Sequence, residues 1–323
     1  MGAPSVICQD HSGTATPGNP CHLGPLGEKE PYGDWQYLIQ FEAQPPREGH
    51  VQRVGTGFGP INLDFYPVCI DVMPTFDGKV ATKEVLFDQI RKNFKQLVTD
   101  VEMLGFYFYD GVLEKLGLPQ SPHPVGKLGF YFYDGVDAKQ WLADAPVGTM
   151  GRFAVGGGPS FEFISNPDCL DVVCSELVGA DHWIFSTIYT PTDLGHPVSG
   201  NRQFGIAVRR PSDVYSSIYD HVFAEPVTDD KLYFYTRGTD RCATLADSVL
   251  AGAVFAGGHD CWVHVQKSVR AFVRLHGGEA SVPGCISNRE PWPDMLKAYG
   301  SVKQLAAPSA VPAVKYRSLG NKF

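Results

Sequence analysis

The sequence lacks any long apolar run. No window approaches the roughly 18–20 apolar residues that cross a bilayer as a helix, so no membrane span is expected. Positive charge is scarce: 27 Lys and Arg stand against 35 Asp and Glu, a formal net charge of −8. Binding to a phosphate backbone needs clustered Lys and Arg. Only Arg209-Arg210 and the segment from Arg289 to Lys297 come near a cluster, so no nucleic-acid partner is expected. The opening residues carry no basic region followed by an apolar core, and Val6 stands where a myristoylation pattern requires Ser or Thr. The chain therefore reads as cytoplasmic, or as exported by a non-classical route. Eight cysteines in 323 residues are too few for a disulfide scaffold. Only Cys169 and Cys174 are close in sequence; two unrelated buried thiols are preferred there over a loop disulfide.

What is present supports a packed fold. Hydrophobic residues make up 43% and aromatics 12%, enough for a sizeable core, while 35 Gly and 25 Pro call for many turns and short elements. Residues 1–34 read as an irregular arm, residues 35–300 as a single domain, and residues 301–323 as a coil tail. Within the domain, Trp35 to Phe41 reads as a strand. Ile61 to Met73 reads as one or two strands, with Pro67 demoting its position to an edge or bulge. Asp64, in an alternating run, is taken as an exposed polar position. Gly55-Thr-Gly-Phe-Gly59 lacks the strand–loop–helix context of a dinucleotide loop.

Thr82 offers an N-cap to an amphipathic helix over Lys83–Val101, where Phe87, Ile90, Phe94, Leu97 and Val101 share one face. The nine residues Leu104-Gly-Phe-Tyr-Phe-Tyr-Asp-Gly-Val112 recur identically at 128–136. Each copy reads as a strand ending in an Asp-Gly turn; the two copies either pair in one sheet, or one is an inserted surface hairpin. Further strands are expected at 146–155, 161–164, 182–189, 204–209 and 231–235, the last two pairing antiparallel. The period then changes. Thr244 to Ala256 reads as a helix stopped by Gly257-Gly258. Asp260 opens a second helix that Gly277-Gly278 ends, and a short helix follows Pro291. Strands first and helices later give α+β: a mainly antiparallel sheet packed by one amphipathic helix and a C-terminal helical segment.

Two polar clusters carry the candidate chemistry, both read as loops on rigid strands. In the first, residues 193–202, His196 can serve as general base, Ser199 as nucleophile and Asp193 as the group orienting the imidazole. Asn201 and Arg202 complete it. The plainer reading, which we favour, is that these side chains bond the backbone of their own loop. In the second, residues 235–241, Tyr235, Arg237, Asp240 and Arg241 follow a strand. The arginines can grip a carboxylate or phosphate, or pair internally and pin the two clusters together. Contact between the clusters is the geometric expectation. Cys261 and His264 lie three apart on a helix beside His259, but no second pair at ligand spacing accompanies them. No metal and no cofactor are called for.

In order, Ile61-Asn-Leu-Asp-Phe-Tyr-Pro-Val68, Met73-Pro-Thr with its helix, Trp183-Ile-Phe-Ser-Thr-Ile188, His196-Pro-Val-Ser-Gly-Asn-Arg-Gln-Phe-Gly205 and Phe234-Tyr-Thr-Arg-Gly-Thr-Asp-Arg241 resemble a bacterial family of uncharacterised proteins over residues 35–300. The duplicated aromatic block stands out as an insertion. The resemblance carries no established activity and no catalytic residues. Members stand alone or attached to exported proteins, which implies an effector or cargo role with a protein partner or a secretion apparatus. The alternative is a hydrolase or transferase using the two polar clusters.

Overall fold

The computed structural model describes residues 33–103, 126–156, 169–190, 196–209, 229–245, 248 and 251–298. Helix α1 (Gly33–Gln40) comes first, where the sequence suggested a strand. Trp35, Leu38 and Ile39 are buried while Tyr37 is exposed, a helical spacing that outweighs the strand propensity of the residue types. After β1 (His50–Val51) and a 3-10 turn at Val54–Thr56 runs β2 (Phe58–Val72), fifteen residues in one strand. It is buried without interruption from Ile61 to Val68, so Asp64, expected to be exposed, lies in the interior at 2% exposure. The reason is that both faces of this strand are covered.

A small hairpin, β3 (Thr75–Phe76) and β4 (Lys79–Val80), leads to α2 (Lys83–Lys92), which Thr82 caps by accepting from the Val85 amide. The expected single helix to Val101 is interrupted at Asn93 (φ −93°, ψ 10°). It resumes as α3 (Phe94–Leu97) and gives way to β5 (Val101–Met103). The first copy of the duplication lies outside the described residues. The second forms β6 (Gly126–Phe132), but its Asp-Gly is not a hairpin turn. Asp134 instead caps α4 (Gly135–Leu142), accepting from the amides of Val136 and Asp137. Then follow β7 (Met150–Gly156), β8 (Cys169–Val178), β9 (His182–Tyr189), β10 (Val198–Arg209) and β11 (Lys231–Cys242). Cys174 is a buried free thiol within β8. The expected strand at 161–164 is outside the described residues.

Helix α5 (Ala251–Leu275) is one 25-residue helix that passes through Gly257-Gly258, where a stop was expected. Each glycine costs a helix about 1 kcal/mol. Burial of Phe255, Cys261, Val265, Val269 and Val273 along one face holds the helix together across them. Gly277, at φ +76°, ends the turn after it. Strands β12 (Glu279–Ser281) and β13 (Ile286–Glu290) and helix α6 (Trp292–Ala298) close the described chain.

Apart from the β3–β4 hairpin, the described strands form one antiparallel sheet in the order β12-β2-β11-β10-β9-β8-β7-β6-β5, with β13 also on the outer edge of β2 and β1 paired to β9. The fold is α+β with a mainly antiparallel sheet. Pro67 is neither at a terminal edge nor in a bulge. It sits opposite the gap between β13, which pairs with residues 61–65, and β12, which pairs with residues 69–72. A missing amide hydrogen costs no ladder bond there. Gln266 of α5 fills the gap, donating to Pro67 O at 2.7 Å and Gly284 O at 3.0 Å.

One face of the sheet carries α2, α3 and α5 over an aromatic core. The Phe94 ring lies 5.0–6.4 Å from those of Phe130, Trp141, Phe153, Trp183, Phe185 and Phe204. The other face packs Trp35 and Ile39 of α1 and Met295 of α6 against Ile61, Leu63, Phe65, Tyr233 and Tyr235. No helix among the described residues is long and apolar enough to cross a membrane.

Candidate functional site

From Val198 onward the first polar cluster is strand rather than loop, as is the whole of the second. Residues 198–209 and 231–242 are neighbouring strands paired from Val198↔Cys242 to Arg209↔Lys231, with Ser199 opposite Arg241 and Gln203 opposite Arg237. They touch as expected, but as a ladder. Because side chains alternate along a strand, each cluster is divided between the two faces of the sheet.

On the α1 face the polar groups bond neighbouring protein. Asn201 Nδ2 donates to Leu38 O (2.8 Å) and Phe41 O (3.3 Å), and its Oδ1 accepts from Ser186 Oγ at 2.6 Å. Gln203 Oε1 takes Arg237 Nε at 2.6 Å and Tyr235 Oη at 3.3 Å. Arg241 donates to Gly59 O (3.2 Å) and Val54 O (3.3 Å) and lies 4.5 Å over the Trp292 ring; burial pulls its pKa down to about 10. Ser199 is buried. His196 precedes β10. Its amide donates to Gln52 Oε1 (3.1 Å), its carbonyl accepts from Gln52 Nε2 (2.9 Å), and its Nδ1 accepts from the Val198 amide (3.2 Å). Desolvation pulls the imidazole pKa down to about 4, so it is neutral at pH 7. Among the described residues no hydrogen bond joins His196 to Ser199, and Asp193 lies outside them.

The α5 face holds a different constellation. Arg202, Gly238 and Asp64 are register partners across β10, β11 and β2. Arg202 Nη2 reaches Asp64 Oδ2 at 2.7 Å and Asp240 Oδ2 at 3.3 Å, and its guanidinium lies 4.0 Å over the Trp262 ring of α5. Nη1 turns to Thr236 Oγ1 at 3.4 Å, and Asn62 Nδ2 donates to Asp64 Oδ2 at 2.9 Å. Beside them Tyr66 Oη and His259 Nδ1 are 2.9 Å apart.

The electrostatics follow from one guanidinium shared by two buried carboxylates. Burial opposes the charge on Arg202, but Asp64 and Asp240 more than offset it and the pKa is raised. Burial, reinforced by the charge of Asp64, pushes Asp240 up to about 7 against the attraction of Arg202. Burial lowers His259 as well, so at neutral pH the Tyr66 hydroxyl is paired with an uncharged ring whose tautomer sets the direction of the bond. Asp240 is thus a buried carboxyl placed to hold or release a proton near neutrality.

Of the sequence candidates, Arg202 and Asp240 meet in this cluster, while Asn201, Tyr235, Arg237 and Arg241 lie on the opposite face with Ser199. Asn62, Asp64, Tyr66 and Trp262 were not anticipated, and His259 bonds Tyr66. The available signal was the alternation Asn62-x-Asp64-x-Tyr66, three polar groups on one side of a strand whose other side is apolar. Among the described residues no group of three or more His, Cys, Asp or Glu side chains is placed to hold a metal ion. Cys261 is buried, with its thiol pushed up to about 12 by desolvation. No family model and no curated protein matches the chain.

Proposed function

We propose that the chain is a bacterial binding protein of the effector or cargo type, acting through a protein partner or a secretion apparatus. One observation carries this reading: the groups first suited to catalysis are engaged inside the fold. His196 is neutral and bonded to Gln52 and the Val198 amide. Arg237 and Arg241 bond Gln203 and backbone carbonyls rather than facing an open site. These side chains buttress strands β10 and β11. A second reading, a hydrolase or transferase, is favoured by Asp240, which sits near neutrality beside Arg202. Its acid–base group would be Asp240 on the α5 face, not His196.

Turnover assays of the purified chain on chromogenic esters, phosphomonoesters and glycosides separate these readings. The binding reading expects no turnover above buffer. Turnover abolished by His196→Ala or Ser199→Ala in a folded variant would overturn it. Turnover kept in those two variants and lost in Asp240→Asn would establish the second reading.

A further inference from the structure

We propose that Asn62, Asp64 and Asp240 form a recognition site for a primary ammonium group. The first argument is a donor count. Asn62 Oδ1 and Asp64 Oδ1 are buried and accept no hydrogen bond from the described residues, in residues 4% and 2% exposed. Leaving such acceptors unmet is costly. The described donors nearby are engaged: Asn62 Nδ2 with Asp64 Oδ2, Arg202 Nη1 with Thr236, Arg202 Nη2 with the two carboxylates, while Tyr66 Oη is paired with His259 Nδ1. A partner that meets both acceptors brings at least two donors of its own.

The second argument is charge. Asp64 from β2 and Asp240 from β11 face a single guanidinium, Arg202 from β10. Among the other titratable groups around them, Arg289 of β13 stands opposite Asn62 in the ladder and is a further cation, but among the described residues it forms no ion pair with Asp64 or Asp240. From α5, His259 is held neutral and Cys261 is a protonated thiol; from β2, Tyr66 is bonded to His259. Arg289 of β13 lies 4.9 Å over the Phe255 ring, and its charge acts on His259. With Asp240 ionised, the Asp64–Asp240–Arg202 group has one negative charge in excess. A hydroxyl offers one donor and no charge; an ammonium offers three donors and the compensating charge.

The third argument is position. The β2–β11 ladder shifts register just past the Asn62–Asp240 pair, where Cys242 pairs with Phe58. Gly59, at φ +71°, lies in the displaced segment, and Arg241 Nε binds its carbonyl. Such bulges re-aim side chains next to sites; this one adjoins Asn62 and Asp240, and Asp64 lies two residues further into β2 on the same face. A free small amine and a lysine side chain would present the same head group.

The test is calorimetric titration and thermal unfolding of the full chain with methylammonium chloride. Potassium chloride at equal ionic strength, methanol and Nα-acetyl-lysine amide serve as the other arms. Methylammonium is expected to raise Tm where potassium and methanol do not. Because Asp240 sits at about 7, binding at pH 7 should release about half a proton, read from the dependence of the heat on buffer ionisation. Affinity should rise between pH 6 and pH 8 and fall about tenfold or more in Asp240→Asn. Equal response to the lysine derivative makes a partner's side chain a source; response to methylammonium alone makes it a free amine. Equal response to potassium or methanol, or no response to methylammonium, overturns the site. If Asp240→Asn does not fold, the pH profile of the unmodified chain decides, and a flat profile overturns it. Any of these failures leaves the binding-protein reading intact, since that reading rests on His196, Arg237 and Arg241.

Discussion

Arg202 reaches Asp64 by lying across Gly238. The three residues share one row of the sheet, two strands apart end to end, and the 2.7 Å contact closes over the one position in that row without a side chain. Trp262 covers the guanidinium from above, so the arginine has little freedom to bend away.

This geometry makes Gly238 the most sensitive small residue of the site. A Cβ there would lie 2.2 Å from Arg202 Nη2, 2.6 Å from Cζ and 3.0 Å from Asp64 Oδ1. Moving the arginine aside separates it from Asp64. Gly238→Ala is therefore expected to destabilise by about 3–5 kcal/mol, the cost of breaking a buried ion pair. Gly258→Ala is the matched control. Its Cβ would meet only Trp262 Nε1 at 3.8 Å, an ordinary contact, and removing a helix glycine should stabilise by about 0.5–1 kcal/mol. Urea unfolding of both variants checks the pair; equal midpoints would mean the crossing over Gly238 is not rigid.

Arg202→Met leaves Asp64 and Asp240 buried without their cation, and a loss of about 3–5 kcal/mol is expected at pH 7. The double variant Arg202→Met/Asp64→Leu removes one stranded carboxylate and should recover about 2 kcal/mol or more of that loss. A double-mutant cycle by urea unfolding measures it. Strictly additive losses would mean that the two side chains do not act as a pair.

How much of this was legible in the sequence depends on what each residue type reports. The fold class, the antiparallel pairing of β10 with β11 and the cap at Thr82 were legible, because alternation and capping are local signals. The α1 helix was misread because Trp, Tyr, Leu and Ile favour strands by type, whereas its buried spacing belongs to a helix. Helix α5 was cut in two at Gly257-Gly258 because tertiary burial, not propensity, sustains it. The α5-face site was the least legible part. Its members come from β2, β10, β11 and α5, and only the sheet register places Asp64 beside residue 202. Asp64 looked like a solvent-facing residue since nothing local shows that both faces of β2 are covered.

Gln266 illustrates the same non-local dependence and is testable. Its amide meets Pro67 O and Gly284 O between the end of β12 and the start of β13. Gln266→Leu keeps the volume but leaves one buried and one half-buried carbonyl without this donor, and about 1–3 kcal/mol should be lost. Hydrogen exchange should quicken at β12 and β13 before it does at β10. Uniform quickening would place the effect in the core rather than at the gap.

The pH dependence of stability provides a last check, because the site residues pull in opposite directions. Asp240 is raised from 3.8 to about 7, so the folded state holds a proton that the unfolded chain has released. Its contribution is complete below pH about 4 and is lost as pH rises through 7. His196 is lowered from 6.5 to about 4, and burial lowers His259 as well. Their contributions are complete above pH 6.5 and are lost on acidification as the unfolded chain takes up protons first. Between pH 4.5 and 6.5 the two effects oppose one another. Asp240→Asn should therefore make stability fall more steeply on acidification than in the unmodified chain, and His196→Gln should make it fall less steeply. Urea unfolding at pH 4.5, 5.5, 6.5 and 7.5, read as variant-minus-parent differences, cancels the remaining carboxylates. Difference curves of opposite slope are expected; two flat curves would mean that neither residue is buried in the protonation state described.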